Sequence, residues 1–434
     1  MNIVIIAVLV LLVVLLIGVP IPFAFFASTF TLVVLGDYDY SFLLPYGYNK
    51  ASSIILVAIP LFVFAGSLME KSGIGESLVN LVDVFVGRVK GGLGAVMVIS
   101  CALFGAISGS GMATLSCIGS IMLPRMYAAG YPRGLSSALI SSASLLGLLI
   151  PPSLNMILYA FVGGQSVLSC FMATVIPGII LVILLSVTNI FLLRNDPGIV
   201  VAQPAPLKEF AEKLARRSLR AIPALIAPII ILGGIYGGFM TPTEAASVSV
   251  LYSIPVGWLI YRGLNLKTLK GSLIYSGTTA GVIMIMLFSV MVLSRLYVME
   301  NVPKLILGFL TSISDDPTVL ILMVNLFLIL IGMIMDDTSA ILLTTPIMLP
   351  VIVALGVNPI HYAAIMGVNL GLGCVTPPCA PFLYLGSRVG GAPINEMLKP
   401  TLWLILFAWI PTLLITTYLP QVSLFLPRLI GLAV

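Results

Sequence analysis

Charge is what this chain has least of. Asp, Glu, Lys and Arg make up 8% of its 434 residues, about a third of their share in an ordinary soluble domain. With 60% of its residues hydrophobic, the chain cannot cover itself with a water-compatible surface, and no large soluble domain fits inside it. Histidine is nearly absent. His361 is the single one, so histidine metal centres and Ser-His or Cys-His catalysis have no material to work with, and an enzyme is not expected. The five cysteines (Cys101, Cys117, Cys170, Cys374 and Cys379) fall in apolar stretches without paired or metal-ligand spacing and read as packing residues.

What is there is apolar sequence. Stretches long enough for a bilayer-spanning helix, roughly 20 residues each, run almost back to back from Ile3 to Pro427 and leave room for about a dozen spans. The first, NIVIIAVLVLLVVLLIGVP, lacks a basic leader and a small-residue cleavage site, so a retained helix is expected, with the mature protein starting near Met1. The net charge of +5 comes from basic residues in short loops, as the positive-inside rule expects, and implies lipid surroundings but no nucleic acid.

The densest basic segment is LKEFAEKLARRSLR, with Lys208, Lys213, Arg216, Arg217 and Arg220 against Glu209 and Glu212, which marks a cytoplasmic loop. Arg262, Lys267 and Lys270 return to that side. Lys71, Arg88 and Lys90 flank an amphipathic piece at 73–87. Counting spans back from Lys71 puts the N-terminus outside, while the half after Arg220 begins inside. Opposite starting sides are the mark of inverted repeats, and the chain repeats itself at one offset. IMLP at 121–124 recurs at 347–350, a shift of 347 − 121 = 226. At that shift Leu61-Phe62 meets Leu287-Phe288, Gly130 meets Gly356, and Pro151-Pro152 meets Pro377-Pro378. Chance convergence between apolar helices is the competing reading.

The expected fold is an all-α integral membrane protein of two inverted repeats with re-entrant hairpins and unwound helices. Residues 1–200 form the first repeat, with scaffold helices at 1–70 and a hairpin and broken helix at 92–165. A basic linker follows at 201–220. Residues 221–434 form the second repeat, with scaffold helices at 221–300, a hairpin and broken helix at 318–390, and a C-terminal helix at 400–427.

In lipid every backbone polar group needs a partner inside the protein, so matched helix breaks at membrane depth point to a midplane site. Two pairs of breaks are present. The first sets GAISGSGMAT (105–114) against GMIMDDTSA (332–340), where an apolar half-helix runs into small polar residues and restarts, as a re-entrant tip would. A restarting half-helix offers free N–H groups to a carboxylate, and an ending one offers carbonyls to Na⁺. For Ser108, Gly109, Ser110 and Gly111 the bland alternative is a helix-packing face of small residues. Asp336 and Asp337 resist such a reading, because a carboxylate at membrane depth costs roughly 2.5–3.5 kcal/mol even on a lenient insertion scale. Either Asp337 caps a helix beginning at Thr338, or an aspartate binds an ion, or one does each.

The second pair sets SSASLLGLLIPPSLN (141–155) against NLGLGCVTPPCAP (369–381). A double proline unwinds the helix before it, and the freed carbonyls near Gly147 to Ile150 and Gly373 to Thr376, with the hydroxyls of Ser144 and Thr376, are candidates for Na⁺ cages. A plain proline kink is the alternative. Thr241, Pro242, Thr243 and Glu244 read as a structural helix cap, and GVPIPFAFF (18–26) fills the corresponding place in the first half.

Taken in order, IPLFVFAGSLMEKSGI, SGSGMATLSCIGSIMLP, IPPSLNMILYA, GGIYGGFMTPTEAASV, GMIMDDTSAILLTTPIMLP and NLGLGCVTPPCAP cover essentially the whole chain. They resemble the large membrane subunit of the tripartite ATP-independent periplasmic (TRAP) transporters. The resemblance implies an elevator-type importer of a small organic anion, coupled to Na⁺ and without other cofactors, in the bacterial inner membrane. It also implies two partners, a small four-helix membrane subunit and a periplasmic substrate-binding protein. Carried onto this sequence, it implies Na⁺ ligands among Ser108, Ser110, Ser144, Gly147 and Ile150 in the first half, and Asp336, Asp337, Thr338, Gly373 and Thr376 in the second. It implies substrate contacts at Gly109, Gly111, Thr114, Asn155, Ser339, Asn369 and Pro377. The second tip departs from the expected single Asp, so which aspartate takes the family role stays open. The family's substrates are mostly carboxylates, such as C4-dicarboxylates and sialic acids.

The nearest rival is a stand-alone carboxylate carrier, coupled to sodium or protons, without a binding protein. An anion channel would need charged rings along a pore, and none is visible. An intramembrane aspartyl protease would carry its acids on separate helices, whereas adjacent residues point about 100° apart on one helix.

Overall fold

A computed structural model describes residues 2–87, 90–199 and 207–432. Arg88 and linker positions 201–206 lie outside the described residues. The described residues fold into helices alone.

The two halves follow the same order of main elements, with an additional short helix, Leu43–Ala51, in the first. Three apolar helices come first: Asn2–Leu16, Ile21–Gly36 and Ala58–Ser72 in the first half, and Leu207–Tyr236, Pro242–Pro255 and Leu266–Met299 in the second. A shorter amphipathic helix follows, Ile74–Val86 or Val302–Ile313, and then a two-armed hairpin. The hairpin arms are Gly92–Ser108 with Gly111–Ala128, and Pro317–Ile334 with Asp337–Ala354. Next comes a helix broken at a double proline. In the first half it runs through Arg133–Ser144 and Leu146–Leu149 to Leu154–Gly163; in the second it is Pro359–Val375 and then Pro381–Gly390. Val167–Leu193 closes the first half, and the span from Ile394 to Tyr418 precedes the last helix, Pro420–Leu429.

Among the described residues eight helices are long and apolar enough to cross a membrane, or nine if the broken pair Arg133–Leu149 and Leu154–Gly163, bent by 46°, is one span. The dozen expected stretches thus include hairpin arms and shorter apolar helices.

The 226-residue offset holds at the level of helix ends. The second arms start at Gly111 and Asp337 and end at Ala128 and Ala354; the broken helices start at Arg133 and Pro359; both double prolines, Pro151-Pro152 and Pro377-Pro378, are cis. Agreement of independent start and stop signals favours a true repeat over convergent composition.

Small residues let the parts approach. A β-carbon on Gly105 would lie 2.6 Å from the Cα of Gly147, and one on Gly373 would lie 2.6 Å from the Cα of Gly332. At each crossing, then, a hairpin arm meets its broken helix backbone to backbone, a contact that any larger residue would pry apart. Beyond the breaks the chain changes partners. Leu154–Gly163 packs on the second hairpin arm Asp337–Ala354, and Pro381–Gly390 packs on the first hairpin's Gly111–Ala128. Four of the five cysteines are buried as packing residues; Cys379, beside the second break, is exposed.

Candidate functional site

Both hairpin tips open into one cavity of about 330 Å³. Ser108, Gly109, Ser110 and Gly111 come from the first tip, Asp336, Asp337 and Thr338 from the second, and Asn155 from the helix after the first break. The opposite wall comes from the third helix of each half: Gly66, Ser67 and Glu70 on Ala58–Ser72, and Tyr275, Thr278, Thr279, Val282, Ile283 and Met286 on Leu266–Met299. Among the described residues no Lys, Arg or His lines the cavity, while three carboxylates do.

The first tip turns at Gly109, whose φ of +62° is left-handed and open to glycine at no steric cost. Ser110 then caps the second arm, accepting from the N–H of Ala113 at 3.4 Å. Behind it the oxygens crowd together. Thr114 Oγ1 donates to the carbonyl of Ser110 at 2.8 Å and lies 3.2 Å from Ser108 Oγ. The N–H of Leu154 donates to the carbonyl of Gly109 at 3.2 Å, fastening the tip to the far side of its own break. Gly147 packs so that a β-carbon on it would sit 3.1 Å from both Ser110 O and Thr114 Oγ1.

The second tip is built in the same register, with the chemistry changed. Asp336 stands where Ser110 stands, at 336 − 110 = 226, and caps its arm by accepting from the N–H of Ser339 at 3.4 Å. The Ser339 hydroxyl also donates to Asp336, and lies 3.0 Å from Met286 Sδ. This corrects the expectation that Asp337 caps a helix starting at Thr338. The helix starts one residue earlier, in register with Gly111, so Asp337 is its first residue and is only 6% exposed. Its carboxylate accepts from Asn155 Nδ2 at 2.6 Å, and Thr338 Oγ1 donates to Asn155 Oδ1 at 3.4 Å. A residue of the first repeat thereby ties down the tip of the second. The reciprocal contact is apolar: Phe382, just past the second break, packs against Gly111, where a β-carbon would lie 2.8 Å from its ring.

The remaining expected residues do not line the cavity. Thr114, Ser144 and Gly147 are buried behind the first tip, and Ile150 caps the end of its helix. Ser144 Oγ donates to Ser141 O at 3.0 Å, and Thr376 Oγ1 to Leu372 O at 2.6 Å, so each hydroxyl keeps only its lone pairs for a cation. Gly373 is taken up by its contact with Gly332, and its carbonyl accepts from the N–H of Thr376. Ser339 sits behind Asp336. Asn369 donates to Asn325 at 2.9 Å, which in turn donates to Thr417 at 3.0 Å, a buried polar chain between other helices. Pro377 is exposed on the surface. At the other expected scaffold feature, Thr241 and Glu244 form a capping box, as the sequence predicts.

This opposite wall was not expected from the sequence. Its signal is the spacing Tyr275, Thr278, Thr279, Val282, Ile283 and Met286, one face of a helix at three- and four-residue steps, with Glu70 the acid that the same cavity gathers from a neighbouring helix.

A model of the family described as "Tripartite ATP-independent periplasmic transporter, DctM component" matches residues 8–422. The C4-dicarboxylate TRAP transporter large permease protein DctM of Pseudomonas aeruginosa is 34% identical over 387 residues, 89% of each chain. The sialic acid TRAP transporter large permease protein SiaM of Vibrio cholerae is 33% identical over 375 residues, 86% of each chain. Among solved structures, the YdaH transporter of Alcanivorax borkumensis, described as having an unusual topology, superposes with a TM-score of 0.61 at 15% identity, covering 87% of this chain and 88% of that one. This last likeness is one of fold.

Proposed function

The chain belongs to the DctM component family of the tripartite ATP-independent periplasmic transporters, and from that premise we propose that it imports a small organic anion by Na⁺-coupled secondary transport. The relatives that carry the family are permeases, and the chain is a multi-pass transport subunit with no enzymatic role.

One observation carries the coupling. The cavity shared by the two tips is lined by Glu70, Asp336 and Asp337 and, among the described residues, by no basic side chain. An organic anion brought among carboxylates is repelled unless cations enter with it. Na⁺ ions near the tips, held by Asp336 or Asp337 and by the oxygens crowded at Ser108, Ser110 and Thr114, supply that charge. The anion's carboxylate then finds the N-terminal N–H groups of the two second arms and the hydroxyls of the scaffold wall. Each net positive charge that crosses 100 mV contributes about 2.3 kcal/mol, so two or more Na⁺ per monoanion drive steep accumulation.

The substrate class is a carboxylate, such as a C4-dicarboxylate or sialic acid, by likeness to the named relatives. A periplasmic binding protein delivers it, and a small four-helix membrane subunit stands beside the scaffold. The N-terminus faces the periplasm, the basic start of the second half faces the cytoplasm, and the membrane is the bacterial inner membrane. The cavity lies between a scaffold wall and two hairpins that pack tightly on their own broken helices. That division supports an elevator motion, in which hairpins and breaks travel along the scaffold.

Uptake into proteoliposomes carrying this chain and its small subunit tests the reading, with the Na⁺ gradient and the binding protein varied. Dependence on both is the expected result. Dependence on Na⁺ alone reduces the protein to a stand-alone carrier, proton-driven uptake indifferent to Na⁺ removes the cation assignment, and indifference to every gradient overturns the mechanism.

A further inference from the structure

A second, separate pocket of about 630 Å³ lies at the end of the Leu207–Tyr236 helix, against the amphipathic helix Ile74–Val86. Arg216, Arg217 and Arg220 line it together with Glu76, Asn80 and Tyr261. The membrane span of the arginine-bearing helix begins at Leu214. Arg220 is six residues further on, about 9 Å along the axis at 1.5 Å per residue, so all three arginines lie in the first turns of that span.

Their charges are not equivalent. Arg217 is neutralised in place: it donates to Asp83 at 2.8 Å and to the carbonyl of Asn80 at 2.9 Å, clamping its helix to Ile74–Val86. Glu76, the one carboxylate in the lining among the described residues, faces Arg125 at 3.5 Å. Among the described residues no carboxylate lies within ion-pair distance of Arg216 or Arg220. These two are four apart on one helix face, where like charges repel. Tyr261 donates to the carbonyl of Arg220 at 2.6 Å, which fixes that turn as one side of the pocket. Just beyond the pocket the same helix turns apolar side chains outward, with Leu219 68% and Ile222 45% exposed. A ligand that satisfies both features has an anionic head and an apolar tail.

We propose that this pocket binds the phosphate headgroup of an anionic phospholipid, with Arg216 and Arg220 on the phosphate and the acyl chains along Leu219 and Ile222. Basic pockets between membrane helices on the cytoplasmic side suit such headgroups, and guanidinium groups suit phosphate oxygens. The helix Ile74–Val86 joins the scaffold span Ala58–Ser72 to the first hairpin, so a lipid seated here bears on the link between the two.

The test is native mass spectrometry of the full chain equilibrated with equimolar phosphatidylglycerol and phosphatidylcholine. The wild type is expected to retain phosphatidylglycerol in preference to phosphatidylcholine. The Arg216→Gln/Arg220→Gln double variant, which leaves the Arg217–Asp83 clamp intact, is expected to bind it roughly tenfold or more weakly. Lys270→Gln, a charge change elsewhere on the basic side, should retain it as the wild type does. The single variants Arg216→Gln and Arg220→Gln, each expected to give a partial loss, carry the test if the double variant does not fold. Equal retention of the two lipids, or retention by a folded double variant at the wild-type level, overturns the proposal. Displacement of phosphatidylglycerol by millimolar inorganic phosphate also overturns it, because the site then takes a free anion.

Discussion

Asn155 and Asp337 are 182 residues apart in sequence, and their side chains meet at 2.6 Å. The contact joins the helix that follows the first break to the tip of the second hairpin, so a residue of one half holds the tip of the other. A buried carboxylate needs such a partner, since an unpaired one costs several kcal/mol. Hydrogen bonds to charged groups contribute about 1.5–3 kcal/mol. Asn155→Leu and Asp337→Asn are each expected to lower uptake by tenfold or more. In a double-mutant cycle read by thermal unfolding, the two changes should be non-additive. Additive losses would show that the bond joins the halves only in appearance.

Asp336 has two candidate duties, capping and charge, and its counterpart Ser110 separates them. Asp336→Ser keeps a capping oxygen, as the first tip does, and removes the charge. Asp336→Ala removes both and should cost about 1 kcal/mol of stability. If Asp336 serves coupling, Asp336→Ser keeps the melting temperature of the wild type but shifts the Na⁺ concentration for half-maximal uptake upward. An unchanged Na⁺ dependence would confine Asp336 to capping.

At the backbone crossings, size is decisive. Gly373→Ala puts a methyl 2.6 Å from the Cα of Gly332, and forced overpacking of this kind costs roughly 1–3 kcal/mol. Gly281→Ala, within Leu266–Met299, meets nothing within 4 Å and should gain up to about 1 kcal/mol from helix propensity. Melting temperatures of the two variants are expected to move in opposite directions.

Outside the spans, the Tyr38 hydroxyl donates to Glu300 at 2.6 Å. The bond to the carboxylate holds the phenol neutral and pushes its pKa up to about 12 from 10. The folded pKa is the higher one, so the stabilisation is present below pH 10 and is lost as pH rises from 10 towards 12. Tyr38→Phe should be less stable than the wild type at pH 8, with the gap closing over that window. A gap independent of pH would assign the effect to packing.

Cys379 is the exposed cysteine, and the other four are buried. A water-soluble maleimide should therefore modify the native chain at one position, and Cys379→Ser should abolish labelling, both read by intact mass.

Much of this architecture is legible in the sequence because helix ends obey local rules. Pro151-Pro152 and Pro377-Pro378 break helices wherever they stand, and the offset that pairs them also pairs the start of Gly111–Ala128 with that of Asp337–Ala354. The tips are legible for the same reason, as small polar residues between apolar arms. Which oxygen caps is a matter of one residue's backbone angles, and there the sequence is off by one, at Asp336. The cavity's far wall is not local at all. Glu70 and Thr278 meet the tips only through packing between distant helices, and no periodicity tells that Asn155 turns to the cavity while Asn369 turns to Asn325.

The two breaks are matched in sequence yet differently placed: Pro151, Pro152 and Ser153 are buried, while Pro377, Pro378 and Cys379 are exposed. Equivalent segments thus stand in unequal surroundings, the first break packed by protein and the second open, so the repeat in sequence is not a symmetry of the structure. Trading the surroundings would uncover the first break and cover the second. In the elevator motion proposed above, that exchange is the return stroke, and one plan used twice supplies the gate on either side of the membrane.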